Sequence, residues 1–318
     1  MSARGLAFSR DGKRLYVVLN LSNRLAELDA ASGKVLRLWD TGVAPYDVVL
    51  ARNKAYVSNW GGRRPETNSV TGPAGQGMRV RVDPVRHIAN EGSLTVIDLA
   101  ANRPDAEILL GLHPCALALS PNGRHLVVAN AASDTLSVLD TRSGNIVETI
   151  SVRQQPGDPF GASPNALAFD NKGKTLFVCN GTQNAVAIVS FAPPRSRLEG
   201  LVPVGWFPGA IVYDAPRQSF YVANIKGIGP GRLRQSNAKP EFNSHQYHGS
   251  LSLVSRPANA AMPQLTRRAL ANLRFPLLAQ ARLPARPGEP PRPVPERVGE
   301  PSVFKHVLYI IKENRTYD

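Results

Sequence analysis

Residues 112–152 contain four short runs of aliphatic and β-branched residues separated by turn sequences. The runs cover residues 115–119, 126–129, 136–139 and 146–150, and Pro-Asn-Gly, Ala-Ser-Asp and Arg-Ser-Gly stand between them. No segment between the runs is long enough for a helix, so the pattern predicts a four-stranded antiparallel meander of about forty residues. A sheet of that size cannot bury both faces alone, and the rest of the chain must therefore supply copies that stack on it.

Four further copies of this unit occur along the chain. One apolar residue near the end of each first run marks the register. These marker residues are Phe8, Leu50, Leu119, Phe169 and Tyr213, which are spaced by 42, 69, 50 and 44 residues. A four-strand unit that repeats about every 42 residues, lengthened by insertions, is typical of a β-propeller blade. The sequence therefore predicts an all-β fold, a β-propeller with five legible blades of four antiparallel strands.

The second run of each copy carries a recognisable motif. It reads YVSN at residues 56–59, VVAN at 127–130, FVCN at 177–180 and YVAN at 221–224, whereas Leu19 stands at the Asn position of the first copy. These residues resemble the YVTN family of β-propellers across residues 3–255. WD40 repeats are a poorer match, because no Gly-His or Trp-Asp dipeptide recurs. The resemblance implies a ring of seven blades, of which this chain would hold part, and a periplasmic or extracellular location.

Composition restricts the classes of function. The 318 residues include 42% hydrophobic residues, 26 glycines and 27 prolines, which suits a turn-rich all-β domain. No apolar run is long enough for a transmembrane segment, and no signal peptide is visible. The net charge of +14 comes from Lys and Arg residues scattered through turns, so we expect no specific nucleic-acid binding. Cys115 and Cys179 lie in separate repeats, which predicts buried free thiols.

Two insertions interrupt the repeat at the same point, directly after the second run. The first spans residues 60–91 and the second spans residues 225–248. Loops of this length inside a compact domain are often functional. We therefore predict that both insertions emerge on one rim of the propeller and form a surface for a partner domain or a ligand. The predicted rim residues are Trp60, Arg63, Arg64, His245 and His248.

Two motifs inside the second insertion favour ordinary loop structure. Residues 227–231 are rich in glycine and follow a strand, but no helix opens after them, so a dinucleotide site is not expected. His245 and His248 could present two imidazoles to a metal only on a helix. Gly249 and the strand that follows it favour a simple pair of loop histidines instead.

The sequence changes in character after residue 258, where the predicted propeller of residues 1–258 ends. Leu265, Ala269 and Leu273 recur at helical spacing behind Pro263, so a helix packed on the propeller edge is predicted within residues 259–283. Residues 284–301 are rich in Pro, Arg and Glu without apolar periodicity, which predicts an extended linker. Residues 304–311 form a continuous apolar run of the kind found in buried parallel strands.

The end of the chain, HVLYIIKENRTYD, carries a second resemblance. It is similar to the opening strand of phosphoesterases in the alkaline-phosphatase-like superfamily, a group that includes acid phosphatases and phospholipase C-type enzymes. The resemblance implies that residues 302–318 begin a phosphoesterase domain, truncated here, in which Glu313 and Asn314 help to bind a divalent metal ion. Carboxylate and amide oxygens suit a hard cation. The nucleophile and the remaining metal ligands would lie beyond residue 318.

Together these patterns predict a non-catalytic propeller that is the scaffold or binding module of a metal-dependent phosphoesterase. Its expected partners are its own C-terminal phosphoesterase domain and a phosphoester substrate or protein ligand. Two alternatives stay open. One is a stand-alone binding propeller of the cell surface or periplasm without enzymatic activity. The other is a propeller enzyme similar to lactonases, which requires acidic and amide ligands that converge on the central channel.

Overall fold

The computed structural model describes residues 3–75, 77–154, 161–229 and 248–310. The chain divides into two compact units, Met1–Ala269 and Leu270–Asp318. The described part of the first unit contains five antiparallel sheets of three or four strands that follow one another along the chain, which confirms the predicted all-β fold. Among the described residues, no helix has the length and apolar character needed to cross a membrane.

Blades 1, 3 and 4 are four-stranded meanders in which each strand pairs with the next. Blade 1 consists of β1 (Ala3–Phe8), β2 (Arg14–Leu19), β3 (Arg24–Asp29) and β4 (Val35–Asp40). Blade 3 consists of β11 (Pro114–Leu119), β12 (His125–Asn130), β13 (Thr135–Asp140) and β14 (Ile146–Ser151). Blade 4 consists of β15 (Pro164–Phe169), β16 (Thr175–Asn180), β17 (Ala185–Ser190) and β18 (Arg197–Pro203). The strands of blade 3 thus follow the four apolar runs of residues 112–152.

Blades 2 and 5 depart from this plan where the insertions occur. Blade 2 consists of β5 (Pro45–Ala51), β6 (Lys54–Asn59), β9 (Gly92–Asp98) and β10 (Arg103–Leu110), and its insertion forms the hairpin of β7 (Thr71–Pro73) and β8 (Arg79–Arg81). Blade 5 consists of β19 (Pro208–Asp214), β20 (Ser219–Asn224) and β21 (Ser250–Ser255). In the described part of the chain, blade 5 therefore has three strands instead of four.

The first strands of the five blades lie beside one another in chain order, as β1, β5, β11, β15 and β19. This arrangement makes the first strand the innermost one and places the blades around an axis, as in a propeller. Apolar side chains from facing sheets fill the space between neighbouring blades. Trp39 is buried between blades 1 and 2, Tyr56 between blades 2 and 3, and Phe220 between blades 4 and 5.

The Asn of the Tyr-Val-x-Asn motif closes the end of its blade. Asn130 is fully buried, and its Nδ2 donates a hydrogen bond to Ser137 Oγ at 2.9 Å. In blade 5, Asn224 Nδ2 donates to Ser252 Oγ at 2.9 Å in the same way. In blades 3 and 5 the amide therefore joins the second strand to a hydroxyl group of the third strand, whereas in blade 4 Asn180 Nδ2 donates to Gln183 Oε1 at 2.8 Å. Leu19, which stands at this position in blade 1, cannot make the bond.

The predicted helix behind the last blade is confirmed as α1 (Met262–Asn272), and a second helix, α2 (Phe275–Ala281), follows it. Met262 is buried in the apolar cluster between blades 4 and 5. The backbone N–H of Leu201 on β18 donates to Thr266 Oγ1 at 2.9 Å. Because these contacts bind the start of α1 to blade 4, the propeller unit extends to Ala269 and not only to residue 258.

The structure describes two segments of the C-terminal unit that the sequence predicts to be a linker and a strand. The segment of residues 284–301 is not extended, because it folds back so that Arg286 Nε donates to Glu300 Oε1 at 2.7 Å and Arg292 N–H donates to the Pro301 carbonyl at 3.2 Å. Residues 303–310 form no strand, and the Val307 side chain is 84% exposed. A buried parallel strand requires neighbouring strands, and the described part of the chain pairs none with this run.

The two cysteines behave as predicted. Cys115 and Cys179 are buried and free, and burial raises the pKa of each thiol to about 12. A thiol that remains protonated at neutral pH is a poor nucleophile and a poor metal ligand. Both residues therefore act as small packing groups between strands.

Candidate functional site

Blades 2 to 5 share a short approach to the first strand, with the sequence Gly-x-x-Pro. The four glycine and proline pairs are Gly42 and Pro45, Gly111 and Pro114, Gly161 and Pro164, and Gly205 and Pro208. The residue directly before each proline has a positive φ, namely Ala44 (52°), His113 (51°), Ser163 (49°) and Phe207 (52°). Residues other than glycine rarely adopt this conformation, and a following proline restricts it further. A strained conformation that recurs four times must be held by the contacts around it.

One set of hydrogen bonds comes from within the same blade. In each blade, a backbone N–H just beyond the second strand donates to the carbonyl of the strained residue. These bonds join Trp60 to Ala44 (3.1 Å), Ala131 to His113 (3.0 Å), Gly181 to Ser163 (3.0 Å) and Ile225 to Phe207 (2.9 Å). The four strained residues and their four partners define one end of the blades, which we call the entrance rim. Both insertions begin at this rim, at Trp60 and at Ile225.

A second set of hydrogen bonds comes from the preceding blade. Asn23, Asp134 and Asn184 occupy equivalent left-handed turns between the second and third strands. Their side-chain oxygens accept from the strained backbone of the next blade: Asn23 from Ala44 N–H (2.8 Å), Asp134 from Ser163 N–H (2.9 Å) and Asn184 from Phe207 N–H (2.9 Å). The short polar side chains suit both the turn and the bond. This second set of hydrogen bonds therefore links neighbouring blades at the entrance rim.

The predicted rim residue Trp60 lies in an aromatic stack on the entrance rim. Its ring stacks with Tyr46 at 5.1 Å and with His113 at 5.6 Å between centroids. Tyr46 belongs to β5 and His113 precedes β11, so the stack joins blades 2 and 3. Burial lowers the pKa of His113, which keeps its imidazole neutral next to the indole. Trp60 is 37% exposed, and His113 is exposed as well, so the stack meets solvent through both rings.

The predicted rim residue Arg63 forms an ion pair within the first insertion. Its Nη2 donates to Glu91 Oε2 at 2.8 Å, and its backbone N–H donates to Glu91 Oε1 at 3.2 Å. Arg81 on β8 approaches the same carboxylate at 3.3 Å. These hydrogen bonds raise the pKa of Arg63. The pair joins the two ends of the insertion, and this geometry gives Arg63 a structural role.

Arg64 joins the insertion to blade 1. Its Nη2 donates to the Asn23 carbonyl at 2.6 Å and to Asp40 Oδ1 at 3.1 Å, and its Nε donates to the Thr41 carbonyl at 2.8 Å. Val80 and Val82 pack with Val43 beneath the hairpin. The first insertion is therefore a folded layer fixed to the rim.

The remaining predicted site residues fall in or next to parts that the structure does not describe. His245, Glu313 and Asn314 lie outside the described residues. His248 lies just before β21 and is exposed. Its carbonyl lies so close to Gly227, which has φ of 58°, that a Cβ there would clash. The two ends of the second insertion thus meet at its base.

One acidic side chain in the innermost strand layer was not predicted from sequence. Asp47 on β5 accepts the Leu117 backbone N–H from blade 3 at 2.9 Å, and burial raises the pKa of its carboxyl. Within the described residues, no group of three or more His, Cys, Asp or Glu side chains could hold a metal ion. Asp47 therefore links blades 2 and 3 through this hydrogen bond.

Three comparisons place the fold among known proteins. The model of the cytochrome D1 heme domain family matches residues 85–227, which run from the end of the first insertion into blade 5. The seven-bladed beta-propeller protein Rv1057 of Mycobacterium tuberculosis is 26% identical over 163 residues, which is 48% of this chain and 33% of that protein. The match thus spans about a third of the length of the curated relative.

One solved structure agrees with this chain at the level of fold. A functionally unknown protein from Desulfotomaculum acetoxidans superimposes with a TM-score of 0.52 at 17% identity, over 70% of this chain and 63% of that one. Kuenenia stuttgartiensis hydrazine synthase gives a TM-score of 0.43 at 17% identity, over 70% of this chain and 81% of that one, which is too low to indicate a common fold. With its stacked four-stranded sheets, the chain is a β-propeller protein.

The family match raises the question of a haem, which the described residues do not fit. Haem iron needs an axial ligand that faces the macrocycle. Three histidines lie in the matched stretch: His113 packs on Trp60, His125 packs edge-on against Phe191, and His87 lies exposed in the first insertion. We therefore attribute the match to the shared blade repeat.

Proposed function

We propose that this propeller is the scaffold and binding module of a metal-dependent phosphoesterase, and that it presents its entrance rim to a partner domain or ligand. In this proposal, residues 302–318 begin the catalytic domain, where Glu313 and Asn314 help to hold a divalent cation. The metal would polarise the phosphoryl oxygen and activate the nucleophile. Neither the nucleophile nor the rest of the sheet is identified, so the propeller itself is assigned no catalytic step.

The exposed apolar run of residues 304–310 carries the proposal. Val307, Leu308 and Tyr309 are each 84% exposed, which is unusual for consecutive large apolar side chains in a folded protein. A run with this composition is stabilised when flanking strands cover both of its faces. Its sequence resembles a first strand of the phosphoesterase sheet, and such a sheet would provide that cover.

The entrance rim supports a binding role for the propeller. The first insertion is held in one conformation by the ion pairs of Arg63 and Arg64 and by the packing of Val80 and Val82. It presents Trp60, which is partly exposed, beside the stacked rings of Tyr46 and His113. Preorganised surfaces with aromatic anchors are typical of binding sites.

The test begins with the genomic DNA that follows the codon for Asp318. We expect a continuous reading frame that encodes further Asp and His metal ligands, and we expect the longer protein to hydrolyse bis-p-nitrophenyl phosphate only with a divalent metal. In that protein, Glu313→Ala should lower both metal content and activity, whereas Glu66→Ala in the propeller should change neither. A stop codon directly after Asp318 would contradict the fusion and favour a stand-alone binding propeller.

A further inference from the structure

A cavity of about 300 Å³ lies at the outer edge of blade 4. Outer strands of neighbouring blades lie against each other elsewhere in the unit, as β4 does with β10 and β14 does with β18. Beside β18, the described part of blade 5 has no fourth strand, and residues 256–262 and the start of α1 take that place. The cavity lies between β18 and this segment.

The cavity is lined by three cationic side chains and one carboxylate. The cations are Lys174, Arg197 and Arg256, and the carboxylate is Glu199. Arg256 is held in place, because its Nη2 donates to Thr175 Oγ1 at 2.7 Å and its Nη1 lies 3.4 Å from Asp170 Oδ2. A guanidinium has five N–H donors, so these two contacts leave donors available.

Hydroxyl groups complete a polar row on one side of the cavity. Thr175 on β16 is the register partner of Ser190 on β17, which is in turn the partner of Arg197 on β18. Side chains at paired positions project from the same face of a sheet about 5 Å apart. Lys174, next to Thr175, has an exposed ammonium group with no hydrogen-bond or ion-pair partner among the described residues. Two cationic groups therefore flank a row of hydroxyls.

We infer that this cavity binds the phosphate group of a small phosphorylated molecule. Arginine and lysine with adjacent hydroxyl donors match the oxygens of a phosphate group, and arginine can bind two of them at once. The volume of the cavity is at the lower end of those seen for small-molecule sites. It is larger than a bare phosphate ion needs and leaves room for a small organic group. The chain's net charge of +14 raises the local concentration of anions. This site is separate from the phosphoesterase domain and does not depend on it.

The carboxylate of Glu199 provides a direct test of phosphate binding in this cavity. Its carboxylate pairs with Arg197 at 3.1 Å, and both side chains are exposed. A bound phosphate would compete with this carboxylate for the guanidinium and would be repelled by its charge. Glu199→Gln should therefore tighten phosphate binding several-fold, whereas removal of either exposed cation should weaken it.

Isothermal titration of the 318-residue protein with glycerol 3-phosphate, in buffer of low ionic strength, tests the site. We expect Lys174→Ala and Arg197→Ala each to weaken binding about tenfold, as the loss of a charge-assisted contact does. Lys13 occupies the position of Lys174 in the blade 1 repeat, so Lys13→Ala is the matched control and should leave the affinity unchanged. Glycerol alone should not bind. Thermal unfolding should be the same for all of these variants, because the substituted side chains are exposed.

Three results would overturn the inference. The first is no detectable heat or thermal shift with glycerol 3-phosphate. The second is equal weakening by Lys13→Ala and Lys174→Ala, which would show attraction to the general surface charge. The third is tighter binding of inorganic phosphate than of glycerol 3-phosphate, which would assign the cavity to the free ion instead of a phosphate ester.

Discussion

Two polar segments of this chain are held by arginine and glutamate, but in different ways. In the first insertion, Glu91 pairs with Arg63 and Arg81, and in residues 284–301, Glu300 pairs with Arg286. The first insertion also buries Val80 and Val82 beneath its hairpin. No apolar side chain of residues 284–301 is buried.

This difference shows what each kind of contact can do. Ion pairs select a geometry but add little net stability when their cationic partner is exposed, as Arg63 and Arg286 partly are. Buried valines add stability that does not depend on pH or salt. We therefore expect the first insertion to survive acid and salt, and residues 284–301 to depend on both.

The largest expected effect comes from the valines of the first insertion. Val82→Asp would place a carboxylate at a buried position without a partner, so we expect the free energy of unfolding to fall by about 3 kcal/mol. Urea unfolding followed by circular dichroism measures this change. The control is Val85→Asp in the same insertion, where the side chain is exposed and the change should stay within about 0.5 kcal/mol. Equal effects of the two substitutions would contradict the conclusion that buried valines stabilise the first insertion.

The shared carboxylate of the first insertion should matter less. Glu91→Ala removes the acceptor of Arg63, which is 42% exposed, and of Arg81, which is 18% exposed, so we expect a loss of about 1 to 2 kcal/mol. Glu66→Ala is the control, because Glu66 also pairs with Arg81 but is mostly exposed and should cost less than about 0.5 kcal/mol. A larger loss for Glu66→Ala would contradict the central position of Glu91.

The C-terminal segment should respond to acid. The hydrogen bonds from Arg286 lower the pKa of Glu300 from 4.5 to about 2. The carboxylate therefore contributes stability that is fully present above pH 4.5 and is lost as the pH falls through about 2. Amide hydrogen exchange of residues 284–301 should be slow at pH 5 and fast near pH 2, after correction for intrinsic rates.

A substituted carboxylate separates this effect from general acid unfolding. In Glu300→Gln, the amides of residues 284–301 should exchange rapidly at both pH values, while those of β7 and β8 should be unchanged. If the amides of the wild-type segment stayed protected from exchange at pH 2, the ion pair of Glu300 with Arg286 would not be the contact that keeps residues 284–301 folded.

Much of the fold follows from the repeat alone. The alternation and turn residues of one copy predict four strands, and the Asn of Tyr-Val-x-Asn marks the end of the second strand in blades 2 to 5. The hydrogen bonds of the entrance rim were not predicted, because they join Asn23 to Ala44 and Asp134 to Ser163, which lie more than twenty residues apart. The repeated Gly-x-x-Pro was visible in sequence and could have indicated it.

The C-terminal unit shows where local sequence patterns are not sufficient. Proline and charge predict an extended linker at residues 284–301, but the pairing of Arg286 with Glu300 has no period that a sequence pattern can detect. An apolar run predicts a buried strand at residues 304–311, although burial depends on neighbours that the run does not encode. Trp60 and Arg64 were predicted to be rim residues. Their partners are distant in sequence and are identified only by the structure, namely His113 for Trp60 and the carbonyls of Asn23 and Thr41 for Arg64.

The smallest expected effect concerns the stack that joins the first insertion to blade 3. Burial lowers the pKa of His113 below 6.5, so the folded protein binds its proton less readily than the unfolded chain does. This contribution to stability is present above pH 6.5 and is lost as the pH falls through the lower folded value. Trp60 fluorescence should therefore shift slightly between pH 7.5 and 5. His113→Phe should abolish the shift by keeping a neutral ring in the stack, whereas His125→Phe, in blade 3 but away from Trp60, should retain it. A shift that persists in His113→Phe would show that another group loosens the rim, and the first insertion would then be more sensitive to acid than its buried valines predict.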